Sequence, residues 1–296
     1  MAYIYDKDVN RRQFIKKMAT AFGALSVVTL TPGSLKAGQP IRLALLADTH
    51  IPADVKNSYR GFYPYENLQK IAPRVAEANT DGVIIDGDLA RLEGLTGDYT
   101  NLKSLIQPIT EVSPVYLGLG NHDNRQNFYE VFDAHEGNLQ EVEGKHVVIL
   151  ESAEVRFIVL DSLLYVNKVA GLLGKNQRTW LEHHLENSDE KPIVLFVHHT
   201  LGDGDGDLLD VDRLFDLMQP YSKVKSIVYG HSHSYNVTRR QGVQLINLPA
   251  VGYNFSDTEP VGWVEAEFDK EGVSLKLHAV DGNTADDGQV TRVEWL

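Results

Sequence analysis

The chain has 296 residues, 43% hydrophobic and 23% charged, enough for one large core or two small ones. It contains no cysteine, which excludes disulfides, thiolate zinc sites and cysteine nucleophiles and leaves any metal to His, Asp, Glu, Asn or backbone oxygen. A net charge of −13 argues against non-specific binding to a nucleic-acid duplex, although a metal cluster can invert the potential locally.

The chain opens on a basic stretch, Arg11-Arg12-Gln13-Phe14-Ile15-Lys16-Lys17, followed by the nearly uncharged apolar run Met18 to Leu30. Thr31-Pro32-Gly33-Ser34 breaks that run, and Leu35-Lys36-Ala37 offers a cleavage point. The three parts together read as a signal peptide over residues 1–37, ahead of one domain over 38–296. The apolar run is too short for a comfortable membrane span. The paired arginines before Phe14 resemble a bacterial twin-arginine signal, which implies contact with export machinery and a periplasmic, secreted or envelope-associated location. A basic-edged cytosolic helix is the competing reading.

Ile41 to Ala47 reads as the first strand, and 51–61 as a polar loop. Tyr65 to Ala78 has helical apolar spacing through Leu68, Ile71, Val75 and Ala78. Val83 to Ile85 is a short buried strand. Asp98 to Ile106 is a helix stopped by Pro108. Val115 to Leu119 is a strand and Gln126 to Phe132 a short helix. Val147 to Glu151 and Val155 to Leu160 form a hairpin around Ser152-Ala153. Leu173 to Glu186 is an amphipathic helix; a strand over Ile193 to Val197, a helix over Leu208 to Met218 and a strand over Ser226 to Tyr229 follow. Val243 to Leu248, Trp263 to Phe268 and Val273 to Ala279 alternate like antiparallel strands. The order predicts an α/β fold: a four-layer αββα sandwich of two mixed sheets flanked by helices. The acidic stretch Asp203 to Asp207 lacks the glycine and the glutamate of a calcium loop and reads as a polar loop rimming the site.

Five apolar runs stop abruptly at polar residues. They end in Asp48-Thr49-His50, Asp86-Gly87-Asp88, Gly120-Asn121-His122-Asp123, His198-His199 and Gly230-His231-Ser232-His233. Polar stops at the carboxyl ends of buried strands belong to sites rather than to cores. Asp48, His50, Asp88, Asn121, His198, His231 and His233 make seven candidate metal ligands. One tetrahedral ion needs about four, so the count fits two ions bridged by Asp88. Such a pair can hold a hydroxide between them for attack on phosphorus. His122 is then spare, placed to hydrogen-bond the phosphate or the leaving oxygen.

These motifs, in this order, resemble the calcineurin-like metallophosphoesterase superfamily over roughly residues 41–250. The resemblance implies a double β-sandwich flanked by helices. It places Asp48, His50, Asp88 and His233 on one ion, and Asp88, Asn121, His198 and His231 on a second. Manganese, iron, zinc or cobalt would serve, as divalent or trivalent ions. His122 would be catalytic, and Asn121, His122 and Arg125 would touch a small phosphoester. Gly120 to Arg125 and Gly174-Lys175-Asn176-Gln177 with Trp180-Leu181 are similar to the cyclic-nucleotide and glycerophosphodiester phosphodiesterase branch. Arg91 stands where purple acid phosphatases carry tyrosine, which argues against an iron–tyrosinate centre. Thr200-Leu201 replaces the prolines usual after the paired histidines, so the substrate mouth differs. The expected activity is hydrolysis of a small phosphodiester, with a phosphomonoesterase or nucleotidase, or a non-catalytic scaffold, as alternatives.

Among the remaining residues, His199 points away from His198 by strand alternation, His183 and His184 lie on the surface, and His135, His146 and His278 are structural. Asp123 either orients a histidine or caps the helix near Asn124, with the cap favoured. Arg125 otherwise pairs with the acidic surface, and Asp161-Ser162 is a turn. Tyr59, Arg60, Tyr63 and Tyr253-Asn254-Phe255 lie on loops whose aromatic residues suit stacking on a base.

Overall fold

Strand alternation divides the apolar residues of the buried strands between two faces, and that division builds the molecule. The computed structural model describes residues 39–132 and 138–295; the expected signal peptide and His135 lie outside them. One sheet runs in the order β13 (Val290–Glu294), β12 (Gly272–Gly282), β11 (Pro260–Asp269), β1 (Ile41–Leu46), β2 (Gly82–Ile85) and β3 (Val115–Leu117). The other runs β4 (Asn138–Gln140), β5 (Val147–Glu151), β6 (Arg156–Leu160), β7 (Ile193–Val197), β8 (Val224–Tyr229), β10 (Val243–Asn247) and β9 (Asn236–Arg240). β1, β2 and β3 are parallel, as are β6, β7, β8 and β10.

On β1, Leu43 and Leu45 turn inward, and on β7 Val194 and Phe196 do the same. They meet in one core between the sheets, with Phe157, Val264, Phe268 and Leu275. Ala44 and Leu46 face outward, against α1 (Pro64–Ala78), α2 (Thr96–Leu105), α3 (Gln107–Thr110) and α4 (Arg125–Val131). Ile193, Leu195 and Val197 pack against α5 (Gly174–Asn187) and α6 (Val211–Met218). The result is the expected four-layer αββα sandwich of two mixed sheets.

Local chemistry sets the helix ends. Pro64 occupies the first turn of α1, where its missing N–H is harmless, and Asn79 closes the helix in the left-handed region at φ 47°. Asp98 accepts a hydrogen bond from Leu95 N at 2.9 Å at the start of α2. Asn124 caps α4 by accepting from Gln126 N and Asn127 N. Asp123, the cap favoured from sequence, points elsewhere.

Candidate metal centre

The polar stops all leave their strands at carboxyl ends, and the backbone there turns sharply. Asp48, His50, Asp88, His231 and His233 have φ of 54°, 47°, 46°, 68° and 54°. This left-handed region disfavours side chains other than Gly, Asn and Asp, and its use clusters at functional sites. Tertiary hydrogen bonds hold the turns: Asp48 N donates to Gly87 O at 3.1 Å, His50 N to Asp88 O at 2.9 Å, and Gly230 N to His198 O at 3.0 Å. Gly87 itself is left-handed at φ 77°, and a Cβ there would stand 2.5 Å from the His198 ring. The sequence between β2 and Asp88 therefore needs glycine both for conformation and for space.

The turns bring six of the expected ligands, Asp48, His50, Asp88, His198, His231 and His233, from two sheets into one largely buried cluster. His50 Nε2 and His233 Nε2 are 3.1 Å apart. His233 Nε2 is 3.3 Å from Asp48 Oδ1, and His50 Nε2 is 3.7 Å from Asp88 Oδ2. His198 Nε2 is 3.4 Å from Asp88 Oδ2 and 3.8 Å from Asp48 Oδ1. Asp88, His198 and His231 each offer a donor atom within 4.8 Å of the others, as do Asp48, His50 and His233. Donors held about 2.1 Å from a shared ion stand roughly 3–3.5 Å apart, so these separations fit metal ligation. Asn121 is 1% exposed and its Oδ1 has no hydrogen-bond partner, which suits a neutral ligand. His122 lies beside the cluster, with Nε2 3.9 Å from Asp88 Oδ2 and its backbone N donating to Asp88 Oδ1 at 2.9 Å.

Backbone carbonyls fix the rings. His198 Nδ1 donates to Asp86 O at 2.8 Å, His233 Nδ1 to Tyr253 O at 2.5 Å, and His122 Nδ1 to Leu92 O at 3.0 Å. Each bond leaves Nε2 free to face the carboxylates. His231 is reversed: Nε2 bonds Gly206 O at 3.1 Å, which leaves Nδ1 as its ligand atom. Gly206 belongs to the acidic loop, so that loop does border the site.

Burial and mutual charge set the protonation states. Burial pushes His50 down to about 3 and also lowers His231. Burial disfavours charge on His198 too, but Asp88 and Asp48 outweigh it and raise that imidazole to about 10. Burial acts to raise Asp88, yet His198 holds it well below the usual carboxylate range. Asp48 is likewise lowered, by His233 and His198 against the effect of burial.

Around this cluster the structure corrects the roles expected of Asp123 and Asp161. Asp123 accepts hydrogen bonds from Gly120 N, Leu89 N, Ala90 N and the Tyr99 hydroxyl, at 2.8 to 3.1 Å. It stitches the Asp88 turn to the Asn121 turn, because four convergent donors outcompete a helix end already capped by Asn124. Arg125 takes up the other expected role, an acidic partner: Nε and Nη2 grip Asp161 at 2.6 Å each, and Nη2 also reaches Leu163 O. Asp161 is fully buried, and this fork compensates its charge, so Asp161 is an anchor rather than a simple turn. His199 is buried and bonds Ser162 Oγ at 2.7 Å, with its ring packed behind the cluster, 4.8 Å from the His231 ring and 5.3 Å from that of His198.

Asp86 escapes a reading of the sequence. It is fully buried, neither carboxylate oxygen has a hydrogen-bond partner, and burial raises it to about 7. Its place beside Gly87-Asp88 is the one signal that could have found it. Elsewhere His183 is exposed, His184 stacks on Trp180, His278 stacks on Trp263, and His146 is buried against Leu117 O.

Comparison with known proteins agrees with this arrangement. Residues 41–235 match the family described as calcineurin-like phosphoesterase. A probable cyclic nucleotide phosphodiesterase of Vesicomyosocius okutanii is 26% identical over 227 residues, covering 75% of this chain and 91% of that protein. A probable glycerophosphodiester phosphodiesterase of Arcobacter nitrofigilis is 26% identical over 243 residues, covering 79% and 86%. The crystal structure of a dimetal phosphatase from Danio rerio shares the fold, with a TM-score of 0.67, 14% identity and coverage of 87% and 100%.

Proposed function

The chain belongs to the calcineurin-like phosphoesterase family, a phosphoester hydrolase, and from that premise we propose that it is a two-metal phosphodiesterase acting on a cyclic nucleotide or similar small phosphodiester. The observation that carries the two-ion reading is the double duty of Asp88. It joins His198 and His231 in one donor group and His50 and His122 in another, while Asp48, His50 and His233 form a third. Asp48, His50, Asp88 and His233 would hold one ion, and Asp88, Asn121, His198 and His231 the other. Bound there, manganese, iron, zinc or cobalt ions supply a water ionised near neutral pH and Lewis-acid polarisation of the phosphoryl group.

The chain's own residues do the rest. The bond from His122 Nδ1 to Leu92 O aims Nε2 over the centre, where it can carry a proton to the departing alkoxide. The Asn121 amide and the His122 ring orient the phosphoryl oxygens. Asp123 keeps both turns in register so that these groups do not drift. Preference for a diester is supported by the relatives' names, which divide between cyclic nucleotide and glycerophosphodiester phosphodiesterases. Turnover of bis-p-nitrophenyl phosphate above that of the mono-ester is the expected result; the reverse ranking makes this a phosphomonoesterase or nucleotidase.

We also propose that residues 1–37 direct export and that the mature domain begins near residue 38, on the strength of the paired arginines and the apolar run. Fractionation of cells expressing the full chain, with Arg11-Arg12 changed to Lys-Lys in parallel, tests it. Export unaffected by that change refutes the twin-arginine route.

A further inference from the structure

We infer that Tyr59, Arg91, Tyr253 and Phe255 form the surface that recognises the substrate's organic part, and that it selects a nucleoside over a cationic head group. This selectivity deepens the phosphodiesterase reading and rests on it.

Tyr253 is 4% exposed and stacks on His50, ring centroids 4.7 Å apart at 28°. It touches the His233 ring at 4.7 Å, and its carbonyl accepts from His233 Nδ1. Tyr253 is thus continuous with the metal centre. Two exposed rings lean on it: Tyr59 at 4.9 Å, and Phe255 at 5.7 Å. Phe255 also stacks on His233 at 4.2 Å and 23°. Tyr59 is 42% exposed and Phe255 50%, so half-wet aromatic faces stand one ring away from the ligands.

This surface is assembled rather than incidental. Tyr59 and Phe62 exchange backbone hydrogen bonds of 2.9 Å around a tight turn at Arg60 and Gly61, both at positive φ. Arg60 Nη2 then bonds Phe255 O at 2.8 Å, tying the turn to the Phe255 loop.

Arg91 decides what the surface accepts. Its guanidinium lies 5.1 Å from the Tyr59 ring centroid and 5.5 Å from that of Tyr253, with Nε bonding Asn57 Oδ1 at 3.1 Å. Arg42, Arg125, Arg156, Arg178, Arg240 and Arg292 each have a carboxylate partner. Among the described residues Arg60, Arg74, Arg91, Arg213 and Arg239 have no carboxylate within 4.0 Å, and of these it is Arg91 whose guanidinium lies over Tyr59 and Tyr253, in a chain of net charge −13. Exposed aromatic rings suit a nucleobase or a quaternary ammonium equally. Arg91 already places a positive charge over two of these rings, which repels choline or ethanolamine. The same planar guanidinium offers a further stacking face to a base.

The test is the ratio of kcat/KM for 3′,5′-cyclic AMP to that for glycerophosphocholine, measured on the metal-loaded full chain. Wild type should favour the nucleotide by about tenfold or more. Tyr59→Ala and Phe255→Ala should each raise KM for the nucleotide by about tenfold, the effect of removing one stacking partner. Arg91→Gln should raise relative use of the choline ester. A wild-type preference for glycerophosphocholine, or a ratio unmoved in all three variants, overturns the inference. A second readout does not need catalysis. Saturation-transfer NMR on zinc-loaded protein should show signal at the base protons of adenosine and none at choline, and the adenosine signal should vanish in Phe255→Ala. Absence of signal at the base protons in wild type also overturns it. Failure of wild type to cleave any diester would instead defeat the phosphodiesterase reading, while the NMR experiment still judges the surface.

Discussion

His198 owes its charge to its surroundings. Raised from 6.5 to about 10 by Asp88 and Asp48, it is an imidazolium at neutral pH in the metal-free chain. Because the folded value lies above the unfolded one, the stability it lends is fully present below about 6.5 and is lost as pH rises through about 10. A metal ligand must be neutral, so loading should release about one proton per chain near neutral pH, and apparent affinity should rise with pH. Titration calorimetry in buffers of different ionisation enthalpy measures that proton; none released refutes the assignment. Asp88 and His122 separate binding from chemistry. Asp88→Ala should abolish binding of both ions, whereas His122→Ala should retain them and lose about a hundred- to ten-thousand-fold in turnover. Metal content measured beside turnover distinguishes the two, and undiminished turnover in His122→Ala removes its catalytic role. At this scale the ligands were legible because each follows an apolar run. The pairing of Arg125 was hidden because its partner Asp161, 36 residues on, looks like an ordinary strand end in sequence.

At the scale of elements, the turn after β2 is the tightest link. Gly87→Ala would need φ 77° and push a methyl into the His198 ring. It should cost at least ~1–2 kcal/mol and misplace Asp88, read as a lower denaturation midpoint in chelator together with lost metal binding. An unshifted midpoint would show that the turn can rearrange. The buried strands and long helices were readable from periodicity within a few residues. The strands that escaped, β4, β9 and β13, all lie at sheet edges. Asn236–Arg240 and Val290–Glu294 are mostly exposed, so no apolar alternation marks them. The strand expected to reach Leu119 stops at Leu117, because beyond Gly118, whose N still donates to Ile85 O, Gly120 N and His122 N turn to Asp123 and Asp88 instead of a ladder.

Across the whole molecule, the candidate ligands divide by layer. β1, β2 and β3 lead into Asp48, His50, Asp88 and Asn121, while β7 and β8 of the facing sheet lead into His198, His231 and His233. The four-layer order followed from the alternation of βα units and later strands. The left-handed backbone at five ligand positions had no sequence marker beyond the tolerance of Asp for that region.

Those five torsions have a consequence for the protein once its ions are stripped away. Each residue wound against its natural hand costs roughly 1–2 kcal/mol, which matters against a total stability of about 5–15 kcal/mol. With chelator present, the segments around 48–50, 88 and 231–233 should therefore unwind first and take up deuterium rapidly, while the central strands β1 and β7 stay protected. Deuterium uptake that begins in those strands would contradict this. Bound ions would then act as a late latch, closing on a scaffold that is already assembled but whose mouth breathes until they arrive.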